Sequence, residues 1–237
     1  YDCNYFIDIL QISDEQIEMY SECTILIFLS EFASILNCLN YIEKCINCNC
    51  DINAKDCNGQ TALMLAARYS NSKSSLETVQ LLLDHSADVC AKDDNRRNAI
   101  MLSARHSNNT SSLKTVELLL DYNVDVNAKD NDGWDALMHA ATYSNNTSSL
   151  GTVQLLLKNG ADVNTKDNWN NTALMSSATN SNGISSLKTV QLLLNNGANV
   201  NAKNCKSWTA LMFAVENLNL STICLLYTSP SPRDGLL

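Results

Sequence analysis

Thr61-Ala62-Leu63-Met64 begins the stretch that decides the fold, because closely similar tetrapeptides follow it at intervals of 37 residues. The later copies are Asn98-Ala99-Ile100-Met101, Asp135-Ala136-Leu137-Met138, Thr172-Ala173-Leu174-Met175 and Thr209-Ala210-Leu211-Met212. A second block, Thr78-Val79-Gln80-Leu81-Leu82-Leu83, returns at residues 115–120, 152–157 and 189–194 with the same interval. Blocks that stay in phase over four or five copies indicate a repeat architecture rather than a single globular core.

Each repeat has the pattern of two short amphipathic helices. In the first helix, Leu63, Ala66 and Ala67 share one face, and the hydroxyl of Thr61 is placed to cap the first turn. The Met64 series has the same helical register, so we expect it in the core. Small alanine side chains at these positions would let neighbouring helices approach closely.

The second helix is expected to begin near Ser74 or Ser75. Ser74 and Glu77 have the spacing of a capping box, and the apolar stripe of this helix consists of Leu76, Val79, Leu82 and Leu83. Gly160 and Gly197 follow the later leucine runs, where a left-handed residue ends a helix. Asn123 tolerates that conformation, whereas Ser86 fits it less well.

These residues resemble the ankyrin repeat. The matching positions are Asp56, Gly59, Thr61, Leu63, Ala66, Ala67, Val79, Leu82, Leu83 and Ala87. The resemblance implies an all-α, ankyrin-type solenoid of stacked helix-turn-helix units with β-hairpin fingers. It also implies a concave groove formed by the finger tips and the inner helix face, and binding of a protein partner.

The chain departs from the ankyrin pattern in two respects. Ankyrin repeats have about 33 residues, and here a Ser/Asn-rich insertion such as Ser70 to Ser75 predicts a longer loop between the helices, on the edge away from the fingers. Arg96 and Ser207 stand where glycine is expected, so we predict strained turns there. The sequence of the repeats also resembles that of ankyrin arrays in giant viruses of amoebae.

The repeat domain is expected to span residues 19–223. Its units are 19–55, 56–92, 93–129, 130–166, 167–203 and a truncated 204–223, which lacks the insertion. Residues 1–18 are expected to be an N-terminal fragment or cap. Residues 224–237 resemble the in-frame translation of a transposase-type sequencing adapter, so we expect the natural protein to differ there and to continue beyond Ile223.

Composition limits the classes of partner. The formal net charge of −9 disfavours phosphate backbones and anionic membranes. The longest apolar run, Ile25 to Leu29, is far shorter than the roughly 20 residues of a membrane span. The ten cysteines do not recur at a fixed period, which favours reduced thiols in an intracellular and cytoplasmic monomer. A virus-infected host cell stays open as the location.

The candidate partner-binding residues lie at positions that differ between repeats while the core positions recur. We expect these positions to be exposed at the finger tips and on the inner helix face, where Trp and Arg are typical interface anchors. The candidates are Arg68, Tyr69, Arg97, Arg105, Trp134, His139, Tyr143, Trp169, Trp208 and Phe213. In the alternative interpretation these positions only tolerate drift, and each Trp packs on the next finger.

Catalysis, cofactors and metals are not expected. Cys45, Cys48, Cys50 and Cys57 have a zinc-like spacing, but Cys45 and Cys50 replace core residues and are explained as small apolar fillers. The three histidines, His85, His106 and His139, fall at three different repeat positions, so no nucleophile–base pair follows from them.

The sequence therefore predicts a non-catalytic protein–protein interaction scaffold. Two alternatives stay open. The chain could be the substrate-targeting arm of a larger enzyme or ubiquitin-ligase adaptor, or it could be a purely structural spacer without a binding site.

Overall fold

The computed structural model describes residues 22–36, 39–47, 50–181, 183 and 185–229. These residues form twelve α-helices and contain no β-strand. The helices are α1 (Glu22–Leu36), α2 (Leu39–Asn47), α3 (Ala62–Tyr69), α4 (Leu76–Asp84), α5 (Ala99–His106), α6 (Leu113–Asp121), α7 (Ala136–Thr142), α8 (Leu150–Lys158), α9 (Ala173–Asn180), α10 (Leu187–Asn195), α11 (Ala210–Glu216) and α12 (Leu220–Thr228). Residues 1–18, and the part of the adapter-like tail after Ser229, lie outside the described residues.

The chain divides into two compact units. The first compact unit contains the described residues up to Ser103 together with residues 109–124; the second contains residues 104–108 and the described residues from Asp125 onward. In the first compact unit, α1 packs on α3 and α4 packs on α6. In the second, α7, α9 and α11 pack in succession, as do α8, α10 and α12. Within each unit, first helices therefore stack on first helices and second helices on second helices, as in a helical solenoid.

The N-termini of the helices are capped by side chains that recur with the repeat. Thr61 Oγ1 accepts the backbone N–H of Met64 at 3.4 Å, and Asp135 Oδ1 does the same for Met138 at 2.8 Å. The second helices are capped by Ser75, Ser112, Ser149 and Ser186. The predicted capping box is wrong, because Ser74 is buried and its hydroxyl donates instead to the backbone oxygen of Ser30 at 2.6 Å.

The core consists of the predicted apolar stripes. Leu63, Ala66, Val79 and Leu82 are at most 1% exposed. Their counterparts in the repeats that begin at Asn98, Asp135 and Thr172 are buried to a similar extent, and Met64, Met101, Met138 and Met175 lie in the core as expected. The first helix pair follows the same plan, since Ile42 and Cys45 are buried. Met212 breaks the series, because it belongs to the last described repeat and is 49% exposed.

Left-handed residues end the second helices, as predicted. Gly160 and Gly197 have φ values of 86° and 85°, and Asn123 and Ser86 adopt the same region at 58° and 66°. Arg96 and Ser207 also have positive φ, at 59° and 62° in the finger turns. A side chain in this region crowds its own backbone at a cost of roughly 1–2 kcal/mol, so the predicted strain in these two turns is present.

The fingers are built from turns. In the first finger, Asp56 Oδ1 accepts the backbone N–H groups of Asn58 at 2.8 Å and Gln60 at 2.7 Å, and the Gly59 N–H donates to the Asp56 backbone oxygen at 3.0 Å. Asp93, Asp130, Asp167 and Asn204 repeat this side-chain turn. The described fingers contain no strand pairing of the β-hairpin type, because the carboxylate takes the N–H groups that a hairpin ladder would use.

The inserted loops are held by buried hydroxyl groups. In the first compact unit, Ser70 Oγ lies 2.6 Å from Thr115 Oγ1, and Ser111 Oγ donates to the Ala67 backbone oxygen at 2.7 Å. The second compact unit contains two equivalent clusters, which consist of Ser107, Ser148 and Thr152 and of Ser144, Ser185 and Thr189. The insertion lies between the two helices as predicted. Its serines, however, form part of the core.

The last repeat closes without the insertion. Only three residues separate α11 from α12, against six between α3 and α4. Asn219 and Thr222 both contact the Ser181 hydroxyl and so replace the Ser/Thr pair of the earlier clusters. In α12, Leu226 is buried at the position of a second-helix leucine. Over the described part of the chain, no helix is both long and apolar enough to cross a lipid bilayer.

Candidate protein-interaction surface

Trp134 and His139 form a layered contact in the second compact unit. The finger places Trp134 above the first turn of α7, and its ring centroid lies 5.2 Å from that of His139. His139 Nε2 lies 3.0 Å from Asp130 Oδ2, while Asp130 Oδ1 accepts the Trp134 backbone N–H at 2.8 Å. One carboxylate therefore fixes both the turn of the finger and the imidazole below it.

The electrostatics of this layer follow from burial and hydrogen bonding. Burial alone would raise the pKa of Asp130, but hydrogen bonds from His139 and from the backbone N–H groups of Trp134 and Asp132 outweigh it and lower that pKa. The neighbouring Asp135 is more deeply buried, and burial raises its pKa despite the hydrogen bond from the Met138 N–H. Asp130 is therefore held in its charged form beneath the finger.

Trp208 and Phe213 repeat the same contact in the last repeat, with ring centroids 5.2 Å apart. Both are half-buried. Trp169 differs, because it stands two residues earlier in its finger and is 50% exposed. Its backbone oxygen accepts the Cys205 N–H at 2.8 Å, so its position is fixed while its indole faces solvent. Half of the surface of Trp169 is therefore exposed, whereas the indoles of Trp134 and Trp208 pack against side chains of their own first helices.

Arg105 and Tyr143 pair at the C-terminal ends of first helices in the second compact unit. The guanidinium carbon lies 4.5 Å from the ring centroid, and Nη2 donates to the phenolic oxygen at 3.1 Å. Both side chains are half-buried. The pair combines a cation, an aromatic face and partial exposure, which are the properties of an interface anchor.

A comparable aromatic–cation cluster lies in the first compact unit. Arg68 and Lys73 lie 5.1 Å and 5.0 Å from the Tyr69 ring centroid, and Lys73 also lies 4.7 Å from that of Phe32. Lys73 Nζ contacts Glu31 at 3.2 Å. The sequence did not single out Phe32, Lys73 or Glu31. The phase of the repeats offered a signal, because Phe32 in α1 stands exactly one repeat interval before the helix end marked by Tyr69.

Two candidates are less available than expected. Arg97 forms an ion pair with Asp93 at 2.8 Å within its own finger. His139 is only 5% exposed, and the equivalent Leu65 and Leu102 are also buried. The prediction that this position is exposed is wrong for these three residues. At His139, the ring of Trp134 from the finger five positions earlier packs against the imidazole.

The cysteines with zinc-like spacing differ in burial. Cys45 and Cys50 are buried and Cys57 is exposed, while Cys48 lies outside the described residues. Over the part of the chain that is described, no group of three or more His, Cys, Asp or Glu side chains is arranged to hold a metal ion. The arrangement therefore offers a contact surface that consists of one exposed indole, that of Trp169, and several half-buried aromatic and cationic side chains.

Comparison with known families identifies the fold. A family model described as ankyrin repeats in three copies matches residues 29–130, 73–167 and 144–234. No curated protein matches the chain. Proteins built from ankyrin repeats generally mediate protein–protein interaction. Since the family model matches well over half of the sequence, the chain belongs to the ankyrin repeat family.

Proposed function

We propose that this chain is a non-catalytic scaffold that binds a protein partner through its finger tips and the partly exposed C-terminal ends of its first helices. One observation carries the proposal: Trp169 projects from a fixed finger with half of its surface exposed. Exposed Trp on a rigid support is the residue type that most often dominates the binding energy of protein interfaces.

Variation between fingers supports selectivity for one partner. The position of Trp169 carries Asn58, Asn95, Asp132 and Lys206 in the other repeats. The side-chain turn at the base of the finger is the same in each, so the backbone presents different chemistry from equivalent places. Such a surface distinguishes partners by the order of its side chains, while the core below it stays constant.

The mechanism is preorganisation. Within the second compact unit, Asn127 Oδ1 accepts the Asp162 N–H at 2.9 Å, and Asn164 Oδ1 accepts the Asn199 N–H at 2.8 Å. These bonds tie each finger to its neighbour before any partner arrives. Ordering a mobile side chain at an interface costs about 0.5–1.5 kcal/mol, so a surface that is already ordered retains more of its contact energy.

The proposal is tested by affinity capture with the full chain and two variants. Trp169→Ala removes the exposed indole. Leu187→Ala is the matched control, because Leu187 is 40% exposed in the same compact unit but lies on a second helix. Circular dichroism first establishes that the three proteins have equal helix content. A partner that the parent and Leu187→Ala hold and Trp169→Ala loses supports the proposal.

Two results count against it. Equal recovery of the partner by all three proteins would remove the fingers as the binding surface. The absence of any reproducibly captured protein would favour the structural spacer. The targeting-arm alternative predicts the same finger dependence, and it is distinguished by a catalytic or adaptor segment in a longer reading frame.

We also infer a reducing, intracellular location. Cys57, Cys90 and Cys205 are exposed on the fingers, and a finger thiol in an oxidising compartment would be open to disulfide formation. Alkylation of the protein isolated without reductant, followed by mass spectrometry, should label these three thiols completely. Recovery of disulfide-linked peptides would place the protein in an oxidising compartment instead.

A further inference from the structure

A second surface lies on the outer side of the second helices in the first compact unit. Val79 and Leu82 of α4 face the core, so Gln80 and Leu81 are turned toward the opposite side. There α4 and α6 border a shallow, solvent-open groove of about 640 Å³. Its apolar lining consists of Leu76, Leu81 and Leu118, all of which are half-buried. The groove is separate from the fingers and from the ends of the first helices.

The rim of this groove is acidic. Four exposed carboxylates, Glu77, Asp84, Glu117 and Asp121, line it together with a single cation, Lys114. Asp84 is held in place, because Oδ1 accepts the Tyr122 hydroxyl at 2.6 Å and the Gln80 side-chain amide at 2.6 Å. The hydrogen bonds from Tyr122 and Gln80 also lower the pKa of Asp84, so this carboxylate stays charged at mildly acidic pH.

The second compact unit supplies an internal comparison. Leu155 of α8 and Leu192 of α10 occupy the positions of Leu81 and Leu118 and are equally half-buried. The charges, in contrast, are inverted. Equivalent positions there carry Lys158 and Lys188 and no carboxylate, with Gly151, Gln154, Gln191 and Asn195 at the others. Stacking of second helices explains the shared leucines, but it does not explain an acidic rim in one unit and a basic one in the other.

We propose that the groove between α4 and α6 binds a basic amphipathic segment of a protein partner, with apolar side chains on the leucines and Lys or Arg side chains at the carboxylates. Charge complementarity argues for this occupant. A net charge of −3 around an apolar floor attracts a cationic segment and repels an acidic one. A helical segment with apolar residues at alternating intervals of three and four residues presents an apolar stripe that fits the leucines of the groove.

The probe for this proposal is a labelled synthetic peptide of about 15 residues. Its Leu residues follow one another at alternating intervals of three and four residues, and all other positions are Lys. Its affinity for the full chain is measured by fluorescence anisotropy at physiological salt. A scrambled peptide of the same composition tests whether the apolar stripe matters. The test variant is Glu117→Gln with Asp121→Asn, which removes two rim charges and leaves the Tyr122–Asp84–Gln80 contacts in place.

The matched control variant is Gln191→Lys with Asn195→Lys. It changes the net charge of the chain by the same amount, at the equivalent positions of α10. We expect the test variant to bind the peptide roughly fourfold more weakly, since each of the two lost exposed ion pairs is worth about a twofold effect. The control variant should bind like the parent, and the scrambled peptide should bind weakly to all three.

Several outcomes would overturn the proposal. Equal weakening in both variants would show attraction to overall charge rather than to the groove. Equal binding of the scrambled peptide would remove the apolar floor from recognition, and no binding of the peptide to the parent would remove the site. Self-association of the parent that the test variant abolishes would make a second copy of the chain the occupant. Trp169→Ala should leave peptide binding unchanged, so failure here is distinguishable from failure of the finger surface.

Discussion

The buried hydroxyl clusters of the inserted loops are expected to stabilise the repeat stack through mutual hydrogen bonds. Ser144 Oγ lies 2.6 Å from Thr189 Oγ1 and 3.4 Å from Ser185 Oγ, and Thr189 also lies 2.9 Å from Ser186 Oγ. Thr189 and Ser185 are fully buried, so solvent cannot replace a lost partner. Removing one hydroxyl takes a partner from the other, and a buried polar group that is left without a good hydrogen bond costs about 1–3 kcal/mol.

The perturbation is a double-mutant cycle of Ser144→Ala and Thr189→Val. Ser144→Ala should lower the free energy of unfolding by about 1 kcal/mol, because Thr189 retains Ser186. Thr189→Val keeps the shape of the side chain but leaves Ser144 with only the long contact to Ser185. We therefore expect this variant to lose about 2 kcal/mol of unfolding free energy. In the double variant, the loss of unfolding free energy should be smaller than the sum of the two single losses by about 0.5–1.5 kcal/mol. The reason is that neither hydroxyl of the 2.6 Å contact remains to be left unpaired.

The assay is urea denaturation followed by circular dichroism, with equal m values as the condition for comparing free energies. Ser221→Ala, at an exposed position on α12, is the control and should change stability by less than about 0.5 kcal/mol. Single variants that cost no more than this control would refute the reasoning. So would strictly additive losses in the double variant, because they would show that the two hydroxyls are not coupled.

Three further predictions concern the turns, the caps and the stacking register. Gly59→Ala should lower the melting temperature, because Gly59 has a φ of 72° and an added Cβ would stand 2.8 Å from the Asp94 backbone nitrogen; an unchanged melting temperature would contradict this. Asp135→Thr, which keeps the cap, should raise the melting temperature at pH 7 more than at pH 3. Burial raises the pKa of Asp135, so its charged form opposes folding only above the pKa of the unfolded chain; equal gains at both pH values would be inconsistent with that sign. Ala178→Gln, at a fully buried position, should cost more than about 2 kcal/mol, whereas Val215→Gln at the equivalent position, 50% exposed, should cost less than about 0.5 kcal/mol; similar losses in denaturation experiments would refute the repeat register.

The helices and the core could be predicted because the same pattern of apolar and capping residues recurs in successive repeats. The interval between Thr61 and Asn98 fixes the phase, and an apolar position that recurs in that phase, such as Leu82, has to be buried for the stack to form. Backbone conformation at Gly160 and Arg96 followed in the same way, since a shared turn requires the same φ whichever residue stands there.

The role of the inserted loops was missed because serine is read as a loop residue. Ser70, Ser74 and Thr78 recur in later repeats as faithfully as the leucines do, and that recurrence was the available signal for buried polar groups. The finger strands were expected by analogy. The side chain of Asp56 instead satisfies the backbone of the turn, and spacing alone does not reveal which group takes a given N–H.

The candidate surface was predictable in part. Variation between repeats marked positions that differ in chemistry, but it did not separate a buried residue such as His139 from an exposed one such as Trp169. Both vary freely in the sequence. His139 is buried on α7 with the ring of Trp134 packed against it, whereas Trp169 projects from its finger, and this difference appears only in the three-dimensional contacts.

Binding through the fingers is tested most directly by site-specific photo-crosslinking. A photoreactive phenylalanine analogue is placed at position 169, and in a second protein at position 187, which is similarly exposed but lies on a second helix. After irradiation in cells, we predict a discrete crosslinked protein partner from position 169 and none from position 187. The same crosslinks from both positions, or none from position 169 although the protein is folded, would contradict a finger-based interaction surface.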